Sequence, residues 1–233
     1  FREEMGLNDP FIVRYVNYML GLCQGDLGTS YKTRDPVGEE VWARLPNTAM
    51  LALTSTVVAI LLALPLGIIA AIKQNTLFDG ISMFISLLGI SMPVFWMGLL
   101  LILFFSVKLG WFPVSGADQG IKSLVLPSIA LGFMHMASIA RTTRSSMLET
   151  IRQDYIRTVR AKGLPEKEVI TRHALRNALI PTTTVIGLQI GGMLGGSVLT
   201  ESVFAWPGIG RYMIQSIQGR DIPSVMGCII IFA

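Results

Sequence analysis

The sequence has few charged side chains. Asp, Glu, Lys and Arg make up 15% of its 233 residues, whereas ordinary soluble domains carry about 25%. Hydrophobic residues make up 52% without counting glycine, and the mean hydropathy is +0.58. A water-soluble globule of this length cannot bury so much apolar surface beneath so few charges. The composition also excludes a disordered or collagen-like chain and leaves a membrane protein.

The sequence lacks the residue patterns that several kinds of chemistry require. The sequence contains no GxxxxGK[ST] loop, so it cannot bind ATP by that route. Cys23 and Cys228 have no CxxC neighbours and match no metal or redox pattern. No aromatic or Gly-rich RNA-binding pattern accompanies the basic residues, so we expect no nucleic acid partner.

The few charges leave long apolar stretches between them. A helix needs about 20 apolar residues to cross the hydrocarbon core, and four charge-free stretches come close to or exceed that length: 45–72, 80–107, 123–140 and 177–200. A fifth, 222–233, is shorter, and we expect it to be part of a spanning helix. The stretches do not alternate with period two, as barrel strands do. The sequence therefore predicts an all-α fold, a polytopic transmembrane helix bundle.

The four long stretches also lack carboxylates. An ion-coupled secondary transporter usually needs an intramembrane carboxylate. An intramembrane enzyme needs paired Asp, Ser/His or HExxH groups, and these stretches offer only His135. Both classes of function are therefore disfavoured.

Basic residues are concentrated in one segment, which predicts the orientation. Nine of the 19 Lys and Arg residues lie in 141–176, so the positive-inside rule places this segment in the cytoplasm. By alternation 73–79 is also cytoplasmic, and 108–122 and 201–222 are outside. Residues 1–44 form an extracytoplasmic segment before a transmembrane domain at 45–233. Pro10 starts an amphipathic helix in the first segment.

The basic segment has the pattern of a helical hairpin. Apolar residues recur at helical spacing up to Val159, Gly163 interrupts the pattern, and Pro165 opens a second helix with Glu166 in its first turn. Such a hairpin suits docking into a groove on a soluble partner or lying on anionic lipid headgroups. These residues alone leave both interpretations open.

The same segment carries a recognisable motif. It consists of Asp154-Tyr155-Ile156-Arg157-Thr158-Val159-Arg160-Ala161-Lys162-Gly163-Leu164 and then His173-Ala174-Leu175-Arg176-Asn177-Ala178-Leu179-Ile180-Pro181. It resembles the EAA signature of ABC-importer permeases, and more narrowly the B-type subunit of the dipeptide/oligopeptide/nickel transport family. The Glu-Ala-Ala positions hold Arg157, Thr158 and Val159, and the gap from Gly163 to Pro181 is long. Both departures resemble the peptide branch, although Val159 stands where that branch usually has Ala.

Further stretches resemble the same family, in family order and over nearly the whole chain. They are Gly25-Asp26-Leu27-Gly28, Ser91-Met92-Pro93-Val94-Phe95-Trp96, Trp111-Phe112-Pro113-Val114-Ser115-Gly116, Arg141-Thr142-Thr143-Arg144-Ser145-Ser146-Met147 and Glu201-Ser202-Val203-Phe204-Ala205-Trp206-Pro207-Gly208-Ile209-Gly210-Arg211.

The resemblance implies a type I ABC importer membrane domain. Because the chain opens at Phe1 and closes within an apolar run, we expect a first helix upstream and the end of the last helix beyond it. The implied function is a non-catalytic permease subunit in a bacterial or archaeal cytoplasmic membrane, forming half of a peptide pathway. Nickel or metallophore complexes and glutathione are alternative cargoes. The implied partners are a second homologous permease, an extracytoplasmic binding protein, membrane lipid and two ATPase subunits. ATP and Mg are bound by those ATPases, and no cofactor is expected in this chain.

The resemblance also assigns the hairpin, within a cytoplasmic EAA loop at 141–180, to contact with the ATPase. The residues expected at that contact are Arg157, Ala161, Lys162, Gly163, Leu164, Pro165 and Glu166. Gly163 is expected at the sharp turn, since a side chain there would oppose a positive φ.

Two further sets of residues are candidates for the pathway. His135 is an intramembrane ionisable group and hence a functional candidate, or a neutral histidine bonded to a neighbouring carbonyl. Gln189 either faces the pathway or joins helices. The pathway set is Met92, Phe95, His135, Met136 and Gln189, with no metal ligand set among them. The set for the outer gate or binding-protein contact is Glu201, Phe204, Trp206, Pro207 and Arg211. Trp206 also suits the interfacial aromatic belt. We expect the glycines at 187–196 to let neighbouring helices approach closely.

Overall fold

The computed structural model describes residues 10–233, and the part of the extracytoplasmic segment before Pro10 lies outside them. The described chain is almost entirely helical, with a single antiparallel bridge between Thr29 and Pro36. The α-helices are α1 Phe11–Cys23, α2 Val37–Ile72, α3 Leu77–Ser91, α4 Val94–Leu101, α5 Ile121–Ile151, α6 Asp154–Ala161, α7 Glu166–Glu168, α8 Leu175–Val203, α9 Ile209–Gln218 and α10 Ile222–Phe232. π-Helical turns extend α4 over Ile102–Lys108 and join α7 to α8 over Val169–Ala174.

The spanning helices follow the charge-free stretches, but extend past them. Helices α2 and α5 and the continuous helix Glu166–Val203 are each long and apolar enough to cross a membrane. Helix α2 already begins after Pro36, with Glu39 and Glu40 in its first turn. The positive end of the helix dipole stabilises these negative charges. The expected boundary at 44/45 therefore falls inside a helix.

The second predicted stretch, 80–107, is not one straight helix. Helix α3 and the α4 segment meet at an angle of 105°. The break is at Met92 and Pro93, which have extended backbone conformations, because a proline disfavours the helical conformation in the residue before it. This bent pair counts as a fourth span only if both arms are taken together.

Helix α5 is the centre of the bundle, and glycines on its neighbours allow close approach. An added Cβ at Gly67 of α2 would lie 2.6 Å from the Ala140 carbonyl oxygen, and one at Gly89 of α3 would lie 2.5 Å from that of Phe133. The glycines of α8 behave differently from expectation. Gly187, Gly191 and Gly195 have no other group within 4 Å of such a Cβ, because they lie on an open face of the bundle.

Contacts between segments that are distant in the sequence occur at both ends of the bundle. At one end the Gly116 amide donates to the Phe204 carbonyl (2.9 Å) and the Ser30 hydroxyl to the Asp221 carboxylate (2.5 Å). At the other end Arg144 pairs with Asp79. The first end joins segments predicted outside and the second joins segments predicted in the cytoplasm, as alternating spans require. We call these the outer and the cytoplasmic end.

Helix α1 follows Pro10 as the sequence pattern predicts. None of its residues is buried, and Phe11 and Ile12 are 78% and 73% exposed. The apolar side of this helix is therefore not covered by the described part of the chain.

Candidate functional site

The cytoplasmic hairpin is built from α6, a glycine turn and α7. Helix α6 ends at Ala161, and Gly163 has φ +80°, in the left-handed region that glycine tolerates best. Pro165 then stands directly before α7, with Glu166 and Glu168 in the first turn of that helix. The turn and the new helix start thus use the residues that the sequence pattern assigned to them.

A small hydrophobic core fixes the hairpin to the bundle. Ile156 of α6 and Val169 are completely buried and pack with Met147 of α5 and Ala71 of α2. Burial of a large aliphatic side chain stabilises by roughly 1.5–3 kcal/mol. The hairpin is therefore attached to the cytoplasmic ends of two spanning helices, and a force on it acts on those helices.

An ion pair closes the hairpin across its turn. Two Arg160 guanidinium nitrogens donate to the Glu166 carboxylate at 3.0 and 2.7 Å. This hydrogen-bonded pairing raises the pKa of Arg160 above its ordinary value. The pair is partly exposed, with side chains 38% and 56% accessible, so it stabilises only modestly and mainly fixes the turn geometry.

The predicted coupling residues lie together on this hairpin. All are exposed except Leu164, which packs against the hairpin core. Arg157 is 76% accessible and makes only a long contact of 3.6 Å with Asp154. The arrangement offers a rigid, solvent-exposed surface at the tip while Leu164 anchors it from below.

Helix α3 is tied to α5 at the cytoplasmic end by a pair that sequence analysis missed. Two Arg144 nitrogens donate to the Asp79 carboxylate at 2.8 and 2.7 Å, and Asp79 is only 7% exposed. The Asn75 amide donates to the same carboxylate (3.1 Å). The only sequence signal was an acidic residue at the start of a predicted span.

The polar pathway candidates meet between α5 and α8. His135 Nδ1 lies 2.7 Å from Gln189 Oε1, so the two polar side chains that were considered separately form one pair. His135 Nε2 is buried without a hydrogen-bond partner among the described residues and points toward Gly196. The pair joins two helices and leaves one imidazole nitrogen facing the small-residue side of α8.

The other pathway candidates are separated from this pair. Met136 is 1% exposed and packs in the hydrophobic core with Leu131 and Ile139. It follows His135 directly in α5, and consecutive residues of a helix point to different faces. Met92 lies at the bend between α3 and α4, and Phe95 is 45% exposed. Met136 is thus a core residue here, while Phe95 offers an open surface.

The outer set is organised around a buried carboxylate. Glu201, completely buried at the end of α8, accepts hydrogen bonds from the Thr48 hydroxyl (2.8 Å), the Ser197 hydroxyl (3.1 Å) and the Arg211 amide (3.0 Å). Thr48 in turn accepts from the Ile209 amide (2.9 Å). The carboxylate therefore links α8, α2 and the start of α9, and does not itself present a contact surface.

The loop that encloses this carboxylate is bonded to α2. The Trp206 indole nitrogen donates to the Asn47 carbonyl (3.0 Å), and the Asn47 side-chain amide donates to the Pro207 carbonyl (2.9 Å). Trp206 and Phe204 are each 3% exposed, so they fix the loop and do not form an aromatic belt. Pro207 and Arg211 are the partly exposed members of the outer set.

The architecture has counterparts among solved structures. Over 82% of this chain and 87% of the other, it matches the MetNI methionine ABC transporter with a TM-score of 0.65 at 16% identity. An amino acid ABC transporter crystallised with histidines matches with a TM-score of 0.64, over 83% of this chain and 86% of that one, also at 16% identity. The fold is therefore that of an ABC transporter membrane domain.

Sequence relatives narrow the class. Residues 63–233 match the family of the binding-protein-dependent transport system inner membrane component. The chain is 46% identical to the dipeptide transport system permease protein of Alkalihalophilus pseudofirmus, over 99% of this chain and 78% of that protein. It is 44% identical to the glutathione transport system permease protein of Escherichia coli O6:H1, over 100% and 76%. The chain belongs to this permease family and is an inner membrane protein.

Proposed function

We propose that this chain forms half of the translocation pathway of an ATP-driven importer of peptides. The observation that carries the proposal is the hairpin, an exposed surface at Arg157–Glu166 rigidly packed on α2 and α5. A chain without an ATP-binding loop of the GxxxxGK[ST] type needs such a surface to receive work from a partner. Relatives named for dipeptide transport, at 41–46% identity, favour a peptide cargo.

Displacement of the hairpin by the ATPases is transmitted through the bundle to the outer loop. Two partner ATPases close on ATP and Mg and move the hairpin. The helix from Glu166 to Val203 runs without interruption from the hairpin toward the outer end, roughly 57 Å at 1.5 Å per residue. Near its far end Glu201 holds the outer loop. Movement of this continuous helix therefore displaces both the hairpin and the outer loop. A homologous second permease completes the pathway, and a binding protein delivers the cargo to it.

Glutathione is the second candidate cargo. A relative named for glutathione transport is 44% identical over the whole of this chain, close to the 46% of the A. pseudofirmus dipeptide permease. Glutathione is itself a small peptide, so the two candidates belong to one class of substrate.

Uptake by the complete importer tests the cargo. Liposomes that contain both permeases and both ATPases, with the loaded binding protein on the outer side, are expected to accumulate labelled di- or tripeptides when supplied with ATP and Mg. An excess of unlabelled glutathione or of a nickel–histidine complex is expected to compete poorly. Uptake of only the nickel complex would contradict a peptide cargo.

A further inference from the structure

The central helix of the bundle has one open stripe, and the stripe is polar from Arg141 onward. Met134, Arg141, Ser145 and Glu149 of α5 are exposed, and their spacing of seven and four residues places them on one helix face. The stripe lies between the side of α5 that faces α8, marked by the His135–Gln189 pair, and the side that faces α3, marked by Arg144–Asp79. It is therefore the wall of a cleft between α3 and α8.

Arg141 lies below the cytoplasmic surface of the bundle. Gly67 of α2 touches α5 at Ala140 and Thr143, and the Thr143 hydroxyl lies 3.5 Å from that of Thr182 on α8. The nearest charge beyond this level is that of Arg144, one turn further along α5 and paired with Asp79. On α2 and α8 the next charges are Lys73 and Arg176, six residues beyond Gly67 and Thr182. Six residues of helix correspond to roughly 9 Å, so Arg141 stands roughly 9 Å inside the first charges of α2 and α8 and one turn inside the Arg144–Asp79 pair.

The charge of Arg141 has no counter-charge within residues 10–233. Arg144, three residues later, is neutralised by Asp79, whereas no described residue forms an ion pair or hydrogen bond with Arg141, which remains exposed. An unpaired arginine facing lipid at this depth is costly, and intramembrane charges face a bundle interior or a water-filled cavity. The open stripe of α5 therefore faces water.

We propose that Arg141 lines the inner part of the translocation pathway and binds the carboxylate of the cargo as it passes. This inference rests on the proposed function, since every peptide with a free C-terminus carries a carboxylate. A guanidinium forms charge-assisted, bidentate hydrogen bonds to a carboxylate. Water in the cleft screens the interaction, so the cargo is held only transiently and released to the cytoplasm.

Uptake by the complete importer tests this role with Arg141→Gln and Arg141→Lys. Wild type and variant are assayed with the same binding protein. The preference of that protein among peptides therefore cancels in the ratio of variant to wild-type maximal uptake. We expect Arg141→Gln to lower maximal uptake about tenfold, as loss of a charge-assisted bond implies. The loss should be largest for Gly-Glu, smaller for Gly-Gly and least for Gly-Lys. Arg141→Lys keeps the charge but not the bidentate geometry and should lose less than Arg141→Gln. Lys122→Gln, which removes the same charge at the outer end of α5, is the control and should change little.

Two outcomes separate this proposal from the proposed function. A loss that is equal for the three peptides, or no loss at all, contradicts binding of the cargo by Arg141 while leaving a peptide importer. A wild-type importer that takes up none of the three peptides contradicts the cargo itself. An equal loss would indicate that Arg141 only supports the fold.

Cysteine labelling tests the position of Arg141 without cargo. In a Cys23→Ser, Cys228→Ser background, Arg141→Cys is expected to react with a hydrophilic maleimide at a rate close to that of Ser145→Cys on the same stripe. Leu61→Cys, at a residue that is 66% exposed in the middle of α2, is the lipid-facing control and should react slowly. Labelling of Arg141→Cys as slow as that of Leu61→Cys would overturn the proposal.

Discussion

At the scale of single residues, Glu201 explains the glycines that follow it. An added Cβ at Gly208 would lie 2.4 Å from the carboxylate carbon of Glu201, and one at Gly210 would lie 2.5 Å from the Val198 Cα. The outer loop therefore closes over the carboxylate only if these two positions have no side chain. The motif Glu201–Arg211 is a structural unit whose glycines and acid depend on each other.

Gly208→Ala tests this unit. Its backbone conformation, φ −102° and ψ −178°, is open to alanine, so only the collision with Glu201 opposes the change. We expect the free energy of unfolding to fall by about 1–3 kcal/mol, measured as a lower Tm in detergent. The control is Gly38→Ala in α2, where an added Cβ meets nothing within 4 Å and alanine should slightly stabilise the helix. Equal Tm values for Gly208→Ala and wild type would contradict the close packing.

Asp221 gives the outer end a dependence on pH. Burial acts to raise the pKa of its carboxyl, but hydrogen bonds from the Ser30 and Ser224 hydroxyls and the Tyr31 amide outweigh it and hold the pKa below its ordinary value. A carboxyl with a lowered folded-state pKa stabilises the protein above its unfolded pKa, about 4. That stabilisation is lost as the pH falls through the folded pKa.

We therefore expect the difference in Tm between the wild type and Asp221→Asn to be constant from pH 7 to pH 5. It should shrink as the pH falls below about 4. Thermal unfolding in detergent at a series of pH values measures it. The opposite trend, a difference that grows toward acid pH, would contradict the direction of the pKa shift.

At the scale of helices, Asp79 and Arg144 hold α3 against α5. Removing one partner leaves a largely buried charge unpaired, which is destabilising. We expect Asp79→Asn and Arg144→Gln each to lower the Tm, and the double variant to lower it by less than the sum of the two. A double-mutant cycle of thermal unfolding measures this coupling. Strict additivity would show that the pair contributes nothing beyond its separate residues.

The sequence predicted those features best that depend on residues close together in the chain. The hairpin followed from Gly163 and Pro165, whose backbone preferences act within one turn, and the spans followed from the gaps between charges. Pro93 within a predicted span permits a kink, but the sequence does not show that the helix breaks there with a bend of 105°. Thr48 lies 153 residues from Glu201, and Arg144 lies 65 residues from Asp79, so no local pattern connects these partners.

The buried set at the outer end and the open face of α8 were also beyond sequence reasoning. Trp206 suited either an interfacial aromatic belt or the outer gate, and only its burial and its hydrogen bond to Asn47 of α2 show that it holds the loop in place. Glycines occur in α2, α3, α5 and α8, but among these only Gly67, Gly89 and Gly132 meet the backbone of another helix.

At the scale of the whole molecule, the hairpin and the outer loop lie at the two ends of one continuous helix. The hairpin packs on α2 and α5, and the helix that leaves it carries Glu201 at the other end. Because α5 packs against α2, α3 and α8, displacement of the hairpin moves the bundle as a unit. We infer that ATP hydrolysis drives uptake only through the geometry of this hairpin.

The ratio of peptide imported to ATP hydrolysed by the complete importer in liposomes tests that claim most directly. Gly163→Val forces a β-branched residue into a turn with φ +80°, which such residues strongly resist. We expect this variant to assemble with both ATPases and to hydrolyse ATP while its ratio falls at least about tenfold. Gly187→Ala, at a site open to an added Cβ, should keep the wild-type ratio. A wild-type ratio in Gly163→Val would contradict coupling through the hairpin.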